Sequence, residues 1–296
     1  MASDSRQDAL VRAMPAVFVL IWSTGFIVAR LGMPNSPPMK FLALRYIFSV
    51  LCFAVWALAA RVRWPANRRQ YGHLAVVGVL MHAGYLGGVW TAVKLGMGAG
   101  LAALLVSLQP VLTAVWVSSR GGRVTARQWC GLALGLGGLA LVVWNKLGLG
   151  EIHPANLLCA IIALVSITVG TLYQKRFVAP CDVRTANLVQ LSAAFVVTLP
   201  LALLETEGMR WTAGLIGAMG WSVLGMTLGG SSLLYLLIQR GAATAVTSLF
   251  YLVPPCTALM AWLLFDEPIT ALTVAGMALT ASGVSLVVRA PAPSRA

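Results

Sequence analysis

His82 and Tyr85 stand three residues apart in an apolar run, a spacing that puts them on one face of a helix. Gly84, Gly87 and Gly88 leave room beside them. An imidazole and a phenol so placed can hydrogen-bond a polar solute while their ring faces pack on its apolar part. Trp90 lies about two turns further on, and Trp22, Tyr173, Tyr235 and Tyr251 offer the same mixture in other apolar runs. These seven residues are the candidate substrate contacts, and the pocket they would line is aromatic and partly polar. Ordinary roles compete with that reading. Tyr and Trp gather at membrane interfaces, the expected place of Trp144, Trp211 and Trp221. Nearby hydroxyls such as Ser23, Thr168, Ser231, Ser232 and Ser248 more often tie helices together than touch a ligand. Pro110 and Pro254 each delete a backbone hydrogen bond inside an apolar run, which makes them candidate gating hinges.

The same residue types exclude other chemistry. The carboxylates Asp4, Asp8, Glu151, Asp182, Glu205, Glu207, Asp266 and Glu267 all fall in loops, termini or at the edges of apolar runs. None sits in mid-run, where proton-coupled carriers often keep one. His82 is then the one deep group that titrates near neutral pH. Arg45, about five residues into its run, either snorkels to the surface or meets a substrate carboxylate. No Walker sequence offers a nucleotide site and no HExxH offers a metal. His73, His82 and His153 are too dispersed to ligate one ion, and Cys52, Cys130, Cys159, Cys181 and Cys256 show no paired spacing. No cofactor and no metal is expected. A membrane-embedded enzyme would need a buried nucleophile and base, and His82 has no Ser or Asp partner on its own face, so the chain does not read as an enzyme.

The elements that carry these residues are set by composition. The chain is 59% hydrophobic and 10% charged, with mean hydropathy +0.86, against about 25% charged residues in soluble domains. A net charge of +13 would suggest nucleic acid in a soluble chain. Here the basic residues sit in short loops between apolar runs, so the expected partners are a lipid bilayer and a small-molecule substrate, not nucleic acid; monomer and homodimer both stay open. The expected fold is an all-α integral membrane protein with ten transmembrane helices. The runs are Met14–Leu31, Lys40–Ala60, Tyr71–Lys94, Gly98–Ser118, Thr125–Trp144, Pro154–Tyr173, Val183–Leu204, Trp211–Ile238, Ala242–Phe265 and Thr270–Val288. No cleavable signal pattern precedes the first run, and the tail after Ala290 reads as disordered. With the N-terminus in the cytoplasm, only Arg30, Lys40, Lys94, Lys146 and Arg210 fall outside; apart from Arg45, every other basic residue falls inside. That bias predicts cytoplasmic N- and C-termini, in an inner membrane.

The second half repeats the first. Pro110 aligns with Pro254, Gly131 with Gly276, Gly138 with Gly283 and Gly25 with Gly170. Five spans per half is an odd number, so the halves must cross the membrane in opposite directions. Equivalent loops carry opposite charge, Arg120, Arg123 and Arg127 against Asp266 and Glu267. This predicts two inverted-topology five-helix repeats, residues 14–144 and 154–289, flanked by a cytoplasmic segment 1–13, an external linker 145–153 and a cytoplasmic tail 290–296. Two related halves around one central site point to a transporter working by alternating access. The repeat holds no identical ligand motif in both halves.

Several local patterns resemble the drug/metabolite transporter superfamily, and within it the EamA-type exporters. They are the stretch Trp22-Ser23-Thr24-Gly25 closing on Arg30, Pro37-Pro38 followed by Arg45, the prolines in Gln109-Pro110-Val111 and Val253-Pro254-Pro255, and Glu267-Pro268. The first half departs at Arg123, which stands near the acidic position. The resemblance implies ten spans, a central cavity and export of small metabolites. Among branches of the superfamily, it points toward YddG-type exporters of aromatic amino acids. A multidrug or nucleobase exporter is the alternative, and the lack of a deep carboxylate to pair with a cation favours zwitterions or neutral solutes.

Overall fold

The computed structural model describes residues 2–62, 64–65, 67–120, 125–148, 150–230, 233 and 252–288, with residues 2–13, 15, 117 and 287–288 given by backbone alone. Among the described residues the chain is helical and holds no strand. Eight helices are long and apolar enough to cross a membrane, and two shorter apolar helices complete the series of ten. Leu203 and Leu204 are 75% and 77% exposed, an arrangement that suits hydrocarbon and not water.

Helix α1 (Ala2–Gly32) runs into a 3-10 turn at Met33–Asn35. Helix α2 (Pro38–Ala59) opens on a proline, whose fixed φ suits a first helical turn. The Glu205 carboxylate accepts from the free amides of Met39 and Lys40 at 3.0 and 2.8 Å. The third span is α3 (Arg68–Gly78), a π-helical segment Val79–Gly84, and α4 (Tyr85–Lys94). The fourth is broken into α5 (Ala99–Val106) and α6 (Gln109–Ser119). Then follow α7 (Ala126–Gly148), α8 (Pro154–Phe177), α9 (Val183–Leu204) and α10 (Ala213–Gly220), which passes into a second π-helical segment, Trp221–Gly230. Helices α11 (Val253–Phe265) and α12 (Ala271–Val288) end the chain's described part.

The halves share their element boundaries. Helices α2 and α9 begin at Pro38 and Val183, the third and eighth spans at Arg68 and Ala213, and α7 and α12 at Ala126 and Ala271. Each pair is 145 residues apart, as are Gly135 and Thr280. Both π-helical segments fall at equivalent places. Helices α6 and α11 each start one residue before a proline, Pro110 and Pro254.

The α7–α12 contact shows how the halves are related. A Cβ on Gly138 would stand 2.5 Å from the carbonyl oxygen of Gly276, and one on Gly283 would collide with that of Gly131. Gly276 is the equivalent of Gly131, and Gly283 of Gly138. One contact is therefore made twice with the roles exchanged, between antiparallel helices. At its middle the Thr280 hydroxyl donates to Gly276 O at 2.9 Å and Gly135 O at 3.4 Å. A two-fold axis perpendicular to the helices produces such a self-complementary pair, and that axis lies in the membrane plane. The pattern recurs elsewhere: Gly25 gives room to Met226 and Gly170 to Met81, again equivalent pairs. The predicted inverted repeat is thus present in the packing.

Candidate substrate site

Arg45 lies about a third of the way along α2 and is 6% exposed. Its guanidinium turns into the protein and does not snorkel. Nη2 donates to the Thr227 hydroxyl at 3.1 Å. Thr227 belongs to the second π-helical segment and itself donates to the Ser222 carbonyl oxygen, five residues back, at 2.8 Å. The first π-helical segment carries His82, whose side chain hydrogen-bonds Gln190 of α9. Gln190 is the repeat equivalent of Arg45, and Thr227 that of His82. A single polar contact is therefore built twice across the pseudo-two-fold, as Arg45–Thr227 and as Gln190–His82. The backbones come close enough for this because Gly78 has no side chain: a Cβ there would overlap the backbone of Gln190. Single-turn π-helical stretches recur at functional sites because the wider turn re-aims side chains.

Aromatic groups complete the cluster. Tyr46, fully buried, donates its hydroxyl to the His82 carbonyl oxygen at 2.9 Å, and its ring meets the imidazole edge-on at 6.2 Å. Tyr46, His82 and Tyr85 all lie within electrostatic reach of Arg45. Among the described residues no carboxylate pairs with Arg45. The ion pairs lie elsewhere: Arg30–Glu267, Lys94–Glu207, Lys146–Glu151 and Arg184–Asp182.

Of the sequence candidates, the structure brings His82 and Tyr85 together and adds Arg45 to them. Trp90 is buried nearer the Glu267 end, stacked on Phe41 at 4.4 Å. Tyr173 lies at the Arg176 end, where its hydroxyl bonds His73 Nδ1 at 2.9 Å and its ring packs on Phe177. Trp22 is half-buried on α1 against Phe18. Tyr235 and Tyr251 lie outside the described residues, as do Ser231, Ser232 and Ser248. Pro110 follows the break between α5 and α6, where Gln109 Nε2 donates to Thr171 of α8 at 2.8 Å. Pro254 occupies the first turn of α11. Sequence reasoning passed over Tyr46, Gln190, Thr227, Ser49 and Ser222. The 145-residue offset, applied to Arg45 and His82, would have pointed to Gln190 and Thr227.

Polar contacts tie the helices together at the Glu267 end. Glu267 Oε1 accepts from the first amide of α5, Ala99 N, at 3.0 Å and lies 3.5 Å from Arg30 Nε. Lys146 pairs with Glu151 at 2.7 Å beside a cavity of about 20 Å³, room for one water. Lys94 pairs with Glu207 at 2.7 Å and holds that carboxyl below its ordinary range. At the other end Gln70 exchanges two hydrogen bonds with the backbone of Ala179. There the hydrogen bonds from Arg184 hold the Asp182 carboxyl below its usual value.

A polar, aromatic cluster held between inverted halves fits a multi-pass membrane transporter. The sequence profile of the EamA-like transporter family matches residues 13–144 and again residues 155–289. The chain belongs to the EamA-like transporter family, within the drug/metabolite transporter superfamily. It is 25% identical to the "Uncharacterized transporter YvbV" of Bacillus subtilis, over 92% of this chain and 89% of that one. It is also 25% identical to the "Uncharacterized inner membrane transporter YedA" of Escherichia coli, over 85% of this chain and 81% of that one. A "Probable amino-acid metabolite efflux pump" of Escherichia coli shares 23% identity over 95% of this chain and 94% of its own. A solved crystal structure matches with a TM-score of 0.63 at 17% identity, over 93% of this chain and 95% of that one, a likeness of fold.

Proposed function

We propose that this transporter exports small metabolites from the cytoplasm by alternating access, with amino acids, aromatic or otherwise neutral, as the substrate class. The observation that carries the proposal is the central set of Arg45, His82 and Tyr85, joined by Gln190 and Thr227 across the pseudo-two-fold. A zwitterion with an apolar side chain needs such a site, with hydrogen-bonding groups for its polar end and ring faces for the rest. The 23% identical relative named an amino-acid metabolite efflux pump supports the same class.

In this reading the protein sits in the inner membrane with both termini cytoplasmic, and the Glu267 end is the outer one. The ion pairs there form the outer closure. Tyr173 with His73 marks the cytoplasmic approach, Trp90 lies on the outer side of the site, and Trp22, Tyr235 and Tyr251 are further candidate substrate contacts. Pro110 and Pro254 are the hinges about which the fourth and ninth spans bend.

Counterflow in proteoliposomes tests the proposal. Purified protein is screened with neutral and aromatic amino acids, and the same screen is run on His82→Ala and Tyr85→Ala. The expected result is counterflow of at least one amino acid, reduced about tenfold or more in either variant. Counterflow of a cationic dye or a nucleobase with none of any amino acid would replace this reading with a multidrug or nucleobase exporter.

A further inference from the structure

We infer that Arg45, with Ser49 and Ser222 as neutral co-donors, anchors a carboxylate group of the transported molecule, so that the protein accepts carboxylates and rejects the corresponding amides. This rests on the transport reading above and gives the site a polarity which that reading lacks.

Among the buried donor atoms that lack a partner within the described residues, three belong to α2 and the π-helical segment it packs against: Arg45 Nε, Ser49 Oγ and Ser222 Oγ. Ser49 and Ser222 are fully buried. Ser49 follows Arg45 by one helical turn, on the same face of α2. Ser222 lies on the π-helical segment that α2 packs against, and its carbonyl oxygen holds the Thr227 hydroxyl that holds Arg45. A buried donor without an acceptor is expensive, and a buried guanidinium without a counter-charge more so. The two hydroxyls can each donate to an acceptor placed here, and the guanidinium calls for one that carries negative charge.

A carboxylate fits that demand by its chemistry. It only accepts, it offers two oxygens with about four lone-pair sites, and a guanidinium edge binds it side-on. Nε and Nη2 form such an edge. In the structure it is half used, Nη2 by Thr227 and Nε by nothing. Thr227 thus holds the guanidinium in position while leaving one arm of the fork open.

The equivalent site in the other half does not share this demand. Gln190 stands where Arg45 would be, is neutral, and is already bonded to His82. The central site therefore has one cationic side and one neutral side. A ligand entering it has a fixed direction, its carboxylate toward α2 and its remainder toward His82 and Tyr85.

The test uses the full chain in proteoliposomes, with L-phenylalanine, L-phenylalaninamide and phenylacetate as probes. The native protein is expected to favour the acid over the amide by about 100-fold or more in kcat/KM. Arg45→Gln gives the first half the residue of the second and is expected to bring the two within about threefold. Ser49→Ala removes one neutral donor and is expected to raise KM for the acid about five- to tenfold while leaving the amide unchanged. Equal transport of acid and amide by the native protein would overturn the inference. So would an Arg45→Gln protein that keeps the preference, or a Ser49→Ala protein that loses both probes alike. If Arg45→Gln does not fold, Ser49→Ala decides alone. Counterflow of phenylacetate that depends on Arg45, with none of any amino acid, would remove the amino-acid reading and keep the anchor. Amino-acid counterflow indifferent to Arg45 would do the reverse.

Discussion

Gly138→Ala compared with Gly137→Ala isolates the contact on which the inverted architecture rests. Both substitutions lie in α7, and both gain about 1 kcal/mol of helix propensity. A Cβ at position 137 meets nothing within 4 Å. At position 138 it would stand 2.5 Å from Gly276 O, 2.6 Å from Thr280 Oγ1 and 2.7 Å from Thr280 N. Ordinary contact begins at 3.4 Å, so α7 and α12 must part by about 0.9 Å, the difference between 3.4 and 2.5. Two of the three obstacles are backbone atoms, so no rotamer change relieves the overlap. Overpacking of this kind costs about 1–3 kcal/mol. Because the propensity gain cancels between the variants, that figure is the expected gap in stability, several degrees of Tm. Thermal unfolding of the purified protein in detergent, followed by tryptophan fluorescence, measures it. Gly283→Ala makes the symmetry-related overlap with Gly131 O and Gly135 N, so its loss should match that of Gly138→Ala. If Gly138→Ala melts with Gly137→Ala, the helices are not in backbone contact and the pseudo-two-fold argument falls with them.

Other expectations follow from the same geometry. Pro110→Ala and Pro254→Ala should each slow counterflow severalfold without lowering Tm; unchanged rates in both would remove the hinge role. Because the described carboxylates lie at span ends, flux should follow the substrate gradient with little response to an imposed pH difference, and a steep requirement for one would refute this. Asp182 has a folded pKa held below its ordinary 3.8 by Arg184, so its contribution to stability is present above that value and lost as pH falls through the lower folded one. Asp182→Asn should therefore lower Tm at neutral pH and converge with the native protein as pH drops below about 4; a constant difference across that window would show that the ion pair is not its source. Glu267→Ala removes the acceptor for Ala99 N and the partner of Arg30. In a chain whose other cysteines are serine, it should increase labelling of the half-buried Cys256 by an impermeant maleimide added from outside, and unchanged labelling would count against an outer closure at Glu267.

Span positions were legible in the sequence because a bilayer demands long apolar runs, a signal carried by composition. Val183–Leu204 is the same in the sequence reading and in the structure, and Pro38–Ala59 lies within two residues of its predicted bounds. The repeat was legible because glycine and proline positions survive where packing needs them, as Gly131, Gly138, Gly276 and Gly283 show. The π-helical segments were not. Periodicity exposes a change of helical pitch only when one face is polar, and around His82 and Thr227 nearly every face is apolar. The direction of Arg45 was not legible either. A long cationic side chain near a span end can snorkel outward or turn inward at similar sequence cost, and only the Thr227 hydroxyl on another helix decides it. Gln190 escaped notice because a lone glutamine in a membrane helix reads as interhelical glue. Its meaning comes from its position opposite Arg45.

On the proposed alternating-access reading, the symmetry explains how two gates can exist, and the departures from it why they are not equivalent. Glu267 places a negative charge against the free amide of Ala99 at the start of α5, where a helix N-terminus favours an anion. In the first half of the sequence Arg123 stands near the equivalent position. A guanidinium offers no acceptor to amide groups, so the sequence does not duplicate the acidic residue that makes this contact. The centre departs in the same manner, with Arg45 facing Thr227 on one side and Gln190 facing His82 on the other. An exactly symmetric carrier would have equal inward and outward states and no preferred direction of substrate. On the alternating-access reading proposed above, the charged residue at the centre orients the bound molecule, and the acidic contact at Glu267 favours the state in which that end is shut.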